Sequence, residues 1–225
     1  MEFTGERFVP GPEAGLLEAE HIQRYRFASG YAKGKSVLDI ACGSGYGSKI
    51  LGDAGASCVT GVDVSSEAVD FAKNKYESGS ITFQVADAEH FLHGKFDLIV
   101  SFETLEHLDD RRLFLKNLSA MLNRHGILII STPNKAITSP MKRPEKIRNK
   151  YHKYEYVEQE FIGELKDAGF GDIQQFGQHS YPAIFRVQLL SRLFRRRIRD
   201  TVETAAVLPM TRRRIPRYFV FVARK

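Results

Sequence analysis

Three aspartates and a run of glycines have the types and spacing of a ligand site. Asp39 lies in VLDIACGSGYG, just ahead of Gly43-Ser44-Gly45-Tyr46-Gly47; Asp63 follows Gly43 by twenty residues; Asp87 lies in QVADAEHF. Glycines at this density let backbone come close to a bound group. A carboxylate at the distance of Asp63 can accept both hydroxyls of a ribose. Asp63 could also cap the helix that VSSEA begins, but its spacing and its place at a strand end favour the ribose. Asp39 suits a ligand bearing an ammonium, or braces the loop by accepting its backbone N–H groups, and the two roles are compatible. Asp87 is placed to accept from an adenine amino group, with the Ala88 N–H turned to the ring, or to cap a short helix at 88–93. Three acids at successive strand ends describe a nucleoside site.

Two of the seven histidines stand where a general base would meet an acceptor. His107, in TLEHL, follows a fourth strand, and His152, in NKYHKYE, follows a fifth, with Glu155 near enough to orient it. His21 falls in an N-terminal lid segment, while His90, His93, His125 and His179 read as surface or turn residues. His90 with His93, and Asp109 with Asp110, read as helix-surface residues and not as ligands, so no metal is expected. Cys42 and Cys58 lack zinc or redox spacing, which points to a reducing, cytoplasmic setting.

These groups need a scaffold, and the hydrophobic pattern supplies one. Apolar, β-branched runs at 36–41, 57–64, 81–86, 96–102 and 127–132 alternate with helical stretches after the glycines and at 65–78 and 109–123, where Ser65 and Asp109 are in N-cap position. Strands apolar on both faces and joined by helices form a parallel sheet covered on each side, an α/β doubly wound, Rossmann-like fold. Beyond residue 133 the pattern changes to a loop rich in proline and charge, a helix at 157–170, a strand at GDIQQFGQ, an arginine-rich helix at 183–199 and a strand at 217–224. The chain reads as one domain: an N-terminal lid segment at 1–35, a cofactor-binding core at 36–134, a loop or lid at 135–156 and a C-terminal part at 157–225. With 225 residues, 43% of them hydrophobic, it can bury one sizeable core. MEFTGERFVP has no signal-peptide character, and no apolar run approaches the roughly 20 residues of a membrane span.

The net charge of +6 is local: ten arginines against Asp200 and Glu203 give residues 186–217 a charge of +8 and leave −2 for the rest. The helix at 183–199 would put Arg192, Arg195, Arg196 and Arg199 on one face. It packs on the body with a solvated basic face, lies on an anionic membrane, or meets RNA; the absence of interleaved aromatics speaks against RNA.

Two cofactors fit the acids: a nicotinamide dinucleotide and S-adenosylmethionine. A dinucleotide fingerprint requires glycine where this chain has Ser48, and the acidic approach to the loop suits an ammonium better than a pyrophosphate. VLDIACGSGYGS, GVDVS, QVADAEHF, FDLIVSFETLEHL and GILIISTPN resemble, in order and spacing, the successive motifs of class I S-adenosylmethionine-dependent methyltransferases over residues 36–134. The resemblance implies a seven-stranded sheet whose last strand is antiparallel. It implies that Gly43 and Gly45 approach the methionine moiety, Asp63 the ribose and Asp87 the adenine, with Val64 packed on the ring and Phe102 lining the cofactor. FTGERFVP, EHIQRYRFAS and NKYHKYEY resemble bacterial methyltransferases of sugars and surface polysaccharides, which makes Tyr25 a candidate for the cofactor carboxylate. The segment after strand four, Ser101-Phe102-Glu103-Thr104, lacks the D/N-P-P-Y/F stretch of enzymes that methylate exocyclic base nitrogens, and neither cysteine is placed as a pyrimidine nucleophile. The expected activity is methyl transfer to a hydroxyl of a sugar or glycan precursor, nucleotide- or lipid-linked, with a histidine base. The alternative is N- or O-methylation of a quinone or natural product, and RNA methylation ranks below both.

Overall fold

Within each short strand successive side chains point to opposite faces, and here both directions are apolar. Leu38 and Ile40 of β1 (Ser36–Ile40) enter one core cluster and Val37 the other. In β4 (Phe96–Phe102) Ile99 joins the first, while Leu98 and Val100 join the second. A sheet apolar on both sides needs helices on both sides. The computed structural model describes residues 15–139, 147, 149–182, 205–211 and 214–225. On one face lie α1 (Gly15–Ser29), α2 (Tyr46–Asp53) and α3 (Ser66–Tyr76), which contribute Tyr25, Leu51 and Val69 to its core. On the other lie α4 (Arg111–Met121) and α6 (Glu158–Asp167), which contribute Phe114, Leu118, Phe161 and Leu165. A four-residue α5 (Lys135–Thr138) follows the fifth strand.

The remaining strands are β2 (Cys58–Asp63), β3 (Ile81–Val85), β5 (Leu122–Pro133), β6 (Asp172–Pro182), β7 (Leu208–Pro209) and β8 (Arg214–Arg224). Their order across the sheet is β3-β2-β1-β4-β5-β8-β6-β7. The first five pair in parallel, and β8 runs antiparallel between β5 and β6. The chain leaves the β3 edge and returns beside β1, so strand order reverses between β1 and β4. Ligands of such sheets bind outside the carboxyl ends at that switch. The antiparallel last strand is as expected, but among the described residues the sheet has eight strands, not seven. The added β7 is two residues laid against Phe176 and Gly177, and one of the two is a proline.

Boundaries moved by a residue or two for local reasons. Ser65 does cap α3, accepting the Ala68 N–H at 3.3 Å, but α4 is capped by Asp110, which accepts the Leu113 N–H at 2.9 Å, and not by Asp109. No helix forms at 88–93: Asp87 Oδ1 accepts the Glu89 N–H at 3.0 Å in an Asx turn that satisfies the backbone without one. The arginine-rich helix at 183–199 and the FTGERFVP element lie outside the described residues. Among the described residues, no helix is long and apolar enough to cross a membrane.

Candidate functional site

The glycine loop turns because its glycines permit it. Gly43 and Gly45 have φ of 55° and 80°, in the left-handed region. A Cβ on Gly45 would lie 2.6 Å from Ala72 Cβ and 2.9 Å from the Phe83 ring, so the helix that follows can press against its neighbours only through glycine. A Cβ on Gly43 would meet nothing within 4 Å: that backbone faces open space. Gly45 serves the fold, then, and Gly43 faces the cleft.

Asp63 holds this loop. Its Oδ2 accepts the Gly43 N–H at 2.8 Å and its Oδ1 the Ser65 N–H at 3.0 Å, which ties the end of β2 to the turn after β1. Each oxygen retains a second lone pair for a ribose hydroxyl. Asp39 is buried and accepts the Tyr25 hydroxyl at 2.9 Å and the Ser48 hydroxyl at 2.6 Å. It braces the loop, though through hydroxyls and not the backbone N–H groups expected of it. Burial pushes its carboxyl up to about 6, against those two hydrogen bonds, with the charge of Asp63 adding to the rise. Asp87 is exposed and pairs with His90 Nδ1 at 2.9 Å, a hydrogen bond that lowers the Asp87 pKa. Beside it Ala88 is buried, and Val64 offers an apolar surface that is 65% exposed.

Tyr25 stands edge-on to Phe102, ring centroids 5.0 Å apart, and closes over Gly47, where a Cβ would lie 2.0 Å from the tyrosine ring. Its hydroxyl is given to Asp39, so the donor left open on this helix belongs to its neighbour. Arg24 is fully buried; Nη1 donates to Gln178 Oε1 at 2.6 Å, and Nε has no partner among the described residues. Ser44 Oγ and Ser101 Oγ are buried and without partners in the same sense. Buried donors left open in a folded protein call for a ligand or solvent to satisfy them. In the sequence Arg24 lies inside HIQRY, beside the aromatic Tyr25, with no local signal of its burial.

The wall that carries the two candidate base histidines is built after β4 and β5. Glu103, the first residue after β4, takes φ of 52°; with Ala41 after β1 it puts strained backbone at the carboxyl ends of the two strands that flank the switch point. A single 3₁₀ turn, Leu105–His107, follows. The Glu106 carbonyl accepts the N–H groups of Lys153 at 2.8 Å and Tyr154 at 3.2 Å, and His107 Nδ1 lies 3.1 Å from the Tyr151 carbonyl. These bonds draw the two loops together, and the His107 and His152 rings meet edge to face at 5.1 Å. Glu155 is buried and lies 2.8 Å from His152 Nδ1, as expected. Burial works to raise its pKa, but hydrogen bonds from His152, Ser139 and Thr138 hold it below the usual value. Burial raises Glu103, and raises Glu106 strongly with the Glu103 charge adding. Both acids escaped the sequence reading, although ETLEH spells them three apart. The segment at 149–156 is no free loop: Asn134 bridges Tyr156, which is fully buried. His179 is buried and 2.9 Å from Glu20, which corrects its reading as a surface or turn residue.

The residues present therefore fit a nucleoside bearing an amino acid. Residues 38–130 match the family described as methyltransferase domain. The ubiquinone biosynthesis O-methyltransferase of Coxiella burnetii is 36% identical over 148 residues, 64% of this chain and 58% of that protein. A probable S-adenosylmethionine-dependent methyltransferase of Mycobacterium tuberculosis is 29% identical over 82% of this chain and 66% of its own length. The crystal structure of an S-adenosylmethionine-dependent methyltransferase from Mesorhizobium loti superposes with a TM-score of 0.67 at 19% identity, covering 94% of this chain and 100% of that one, a likeness of fold. The chain spans 58% of the Coxiella relative's length.

Proposed function

We infer from the match of residues 38–130 to a methyltransferase domain that this chain transfers a methyl group from S-adenosylmethionine to a hydroxyl of a small-molecule acceptor. The observation that carries it is the meeting of His107 and His152, from two different loops, at the carboxyl edge of the sheet. Bound S-adenosylmethionine supplies an electrophilic methyl on a sulfonium. The chain's own residues do the rest. Asp63 and the Gly43 backbone hold the ribose, Val64 and Asp87 the adenine, and Arg24 the α-carboxylate. Phe102 and Tyr25 wall the methionine end from water, which strengthens every polar contact there. His107, nearer in the sequence to the cofactor-lining Phe102 than His152 is, takes the acceptor proton as the favoured base.

A sugar or glycan precursor is the acceptor that the HIQRY and NKYHKYEY elements support. A phenolic acceptor of the quinone type is the second reading, supported by the Coxiella relative. Calorimetry on the purified chain should show binding of S-adenosylhomocysteine and none of NAD. Transfer of labelled methyl to a panel of sugars and phenols then separates the two acceptors; binding of NAD in its place would end the reading.

A further inference from the structure

Glu106, His107 and His152 each place a donor atom within 4.8 Å of the other two. Glu106 is 0% exposed; its Oε2 accepts from Thr132 Oγ1 at 3.1 Å, while its Oε1 has no partner among the described residues. A buried carboxylate oxygen without a donor is costly, and a cation in reach removes the cost. The imidazoles are held as metal-ligating histidines are, with Nδ1 turned outward to an oxygen: the Tyr151 carbonyl at 3.1 Å for His107, Glu155 Oε1 at 2.8 Å for His152. Such outer bonds fix the tautomer that leaves the lone pair on Nε2. Asn149 supports this for His152. Its Oδ1 accepts the Tyr151 N–H, so its Nδ2 must donate to His152 Nε2, at 2.8 Å. Asn149 is exposed and can give that lone pair up to a stronger partner.

We propose that Glu106, His107 and His152 bind one divalent first-row cation, on which the acceptor oxygen docks. One carboxylate and two imidazoles suit Zn²⁺, Co²⁺ or Mn²⁺ better than Ca²⁺ or Mg²⁺, which take oxygen ligands, and three protein ligands leave coordination positions open. What the cation does rests on the methyl-transfer reading; whether it binds does not. A hydroxyl bound to it loses its proton to water at a lower pH than a free hydroxyl. The oxygen lone pair so exposed forms the new bond to the methyl carbon, and sulfur keeps the electron pair of the bond that breaks. His107 would then act as a ligand and not as the base, a departure from the expectation of a metal-free site.

The test titrates Co²⁺ and Zn²⁺ separately into the chelator-treated full chain, following heat and the visible absorption of Co²⁺, with S-adenosylhomocysteine titrated in a parallel run. One equivalent should bind. His107→Ala and His152→Ala should each abolish saturable binding, and Glu155→Gln, which meets His152 at its outer nitrogen Nδ1, should weaken it roughly 10–100-fold. S-adenosylhomocysteine affinity should stay unchanged throughout. If an alanine variant has lost its native circular dichroism, the isosteric Glu106→Gln takes its place. No saturable binding of either ion, or binding indifferent to these substitutions, overturns the proposal and leaves the methyltransferase reading intact. Cation binding without S-adenosylhomocysteine binding would instead sink that reading and keep the cation site.

Discussion

The two halves of the cleft treat their carboxylates differently. On the β1–β2–β3 side Asp39, Asp63 and Asp87 are each satisfied by the chain itself, through hydroxyls, backbone N–H groups or His90. On the β4–β5 side Glu106 is buried with one oxygen unanswered among the described residues. The first half has its acids braced before anything binds, and offers a ligand the spare lone pairs of those acids and the donors that Arg24 Nε and Ser44 Oγ leave without partners among the described residues. The second is short of a partner, and what binds there completes it. Acids already satisfied where the proposed cofactor would lie, and an acid left short where the proposed acceptor would lie, thus share one sheet edge.

The largest expected effect falls on the incomplete half. His107→Ala should lower turnover roughly 10²–10⁴-fold, as expected for loss of a base or of the group that activates the hydroxyl, with S-adenosylhomocysteine affinity unchanged. Near-normal turnover would erase the contrast between the halves. Next comes the buried acid of the braced half. In the folded chain Asp39 keeps its proton up to about pH 6, against an ordinary value of 3.8. Folding therefore takes up a proton between those values, so this contribution to stability is complete below the lower one and is lost as pH rises through the upper. Relative to the parent, Asp39→Asn should gain about 3 kcal/mol of unfolding free energy between about pH 3.5 and about pH 7, read from urea titrations at each pH. A parallel pair of curves would mean that Asp39 is ionised and paid for by its hydroxyl partners. Asp63→Ala should weaken S-adenosylhomocysteine binding by about 1.5–3 kcal/mol, since hydrogen bonds to a charged group are lost. Unchanged affinity would reduce Asp63 to a loop brace. The smallest effect lies outside the cleft: Asp110→Ala removes the α4 cap and should cost about 1 kcal/mol of stability with no change in binding.

The braced half was legible in the sequence because its parts are local or regularly spaced. β1 to β5, the glycine turn and the Ser65 cap each follow from a few neighbouring residues. The other half was not, because it depends on contacts between residues far apart in the chain. His107 lies against the Tyr151 carbonyl 44 positions away, and nothing in ETLEH or NKYHKYE alone says that the two segments share a wall. The role of Arg24 is not legible in the sequence because its burial shows only once Gln178, 154 positions on, is beside it. Asp109 and Asp110 differ by a single position that helix periodicity does not resolve. A two-residue strand such as Leu208–Pro209 is too short to leave a pattern at all.

The place of β8 has a consequence for how the protein is made. It is the last strand in chain order, yet it is seated between β5 and β6. While a ribosome is still translating residues 214–224, the β5 edge stands bare and β6 has only the two-residue β7 beside it. Unpaired edges of this kind invite wrong partners, and a pairing between strands so far apart in the sequence is slow to form. The newly made protein therefore passes through an interval in which its own sheet is open, and a chaperone that shields an exposed strand would act in that interval.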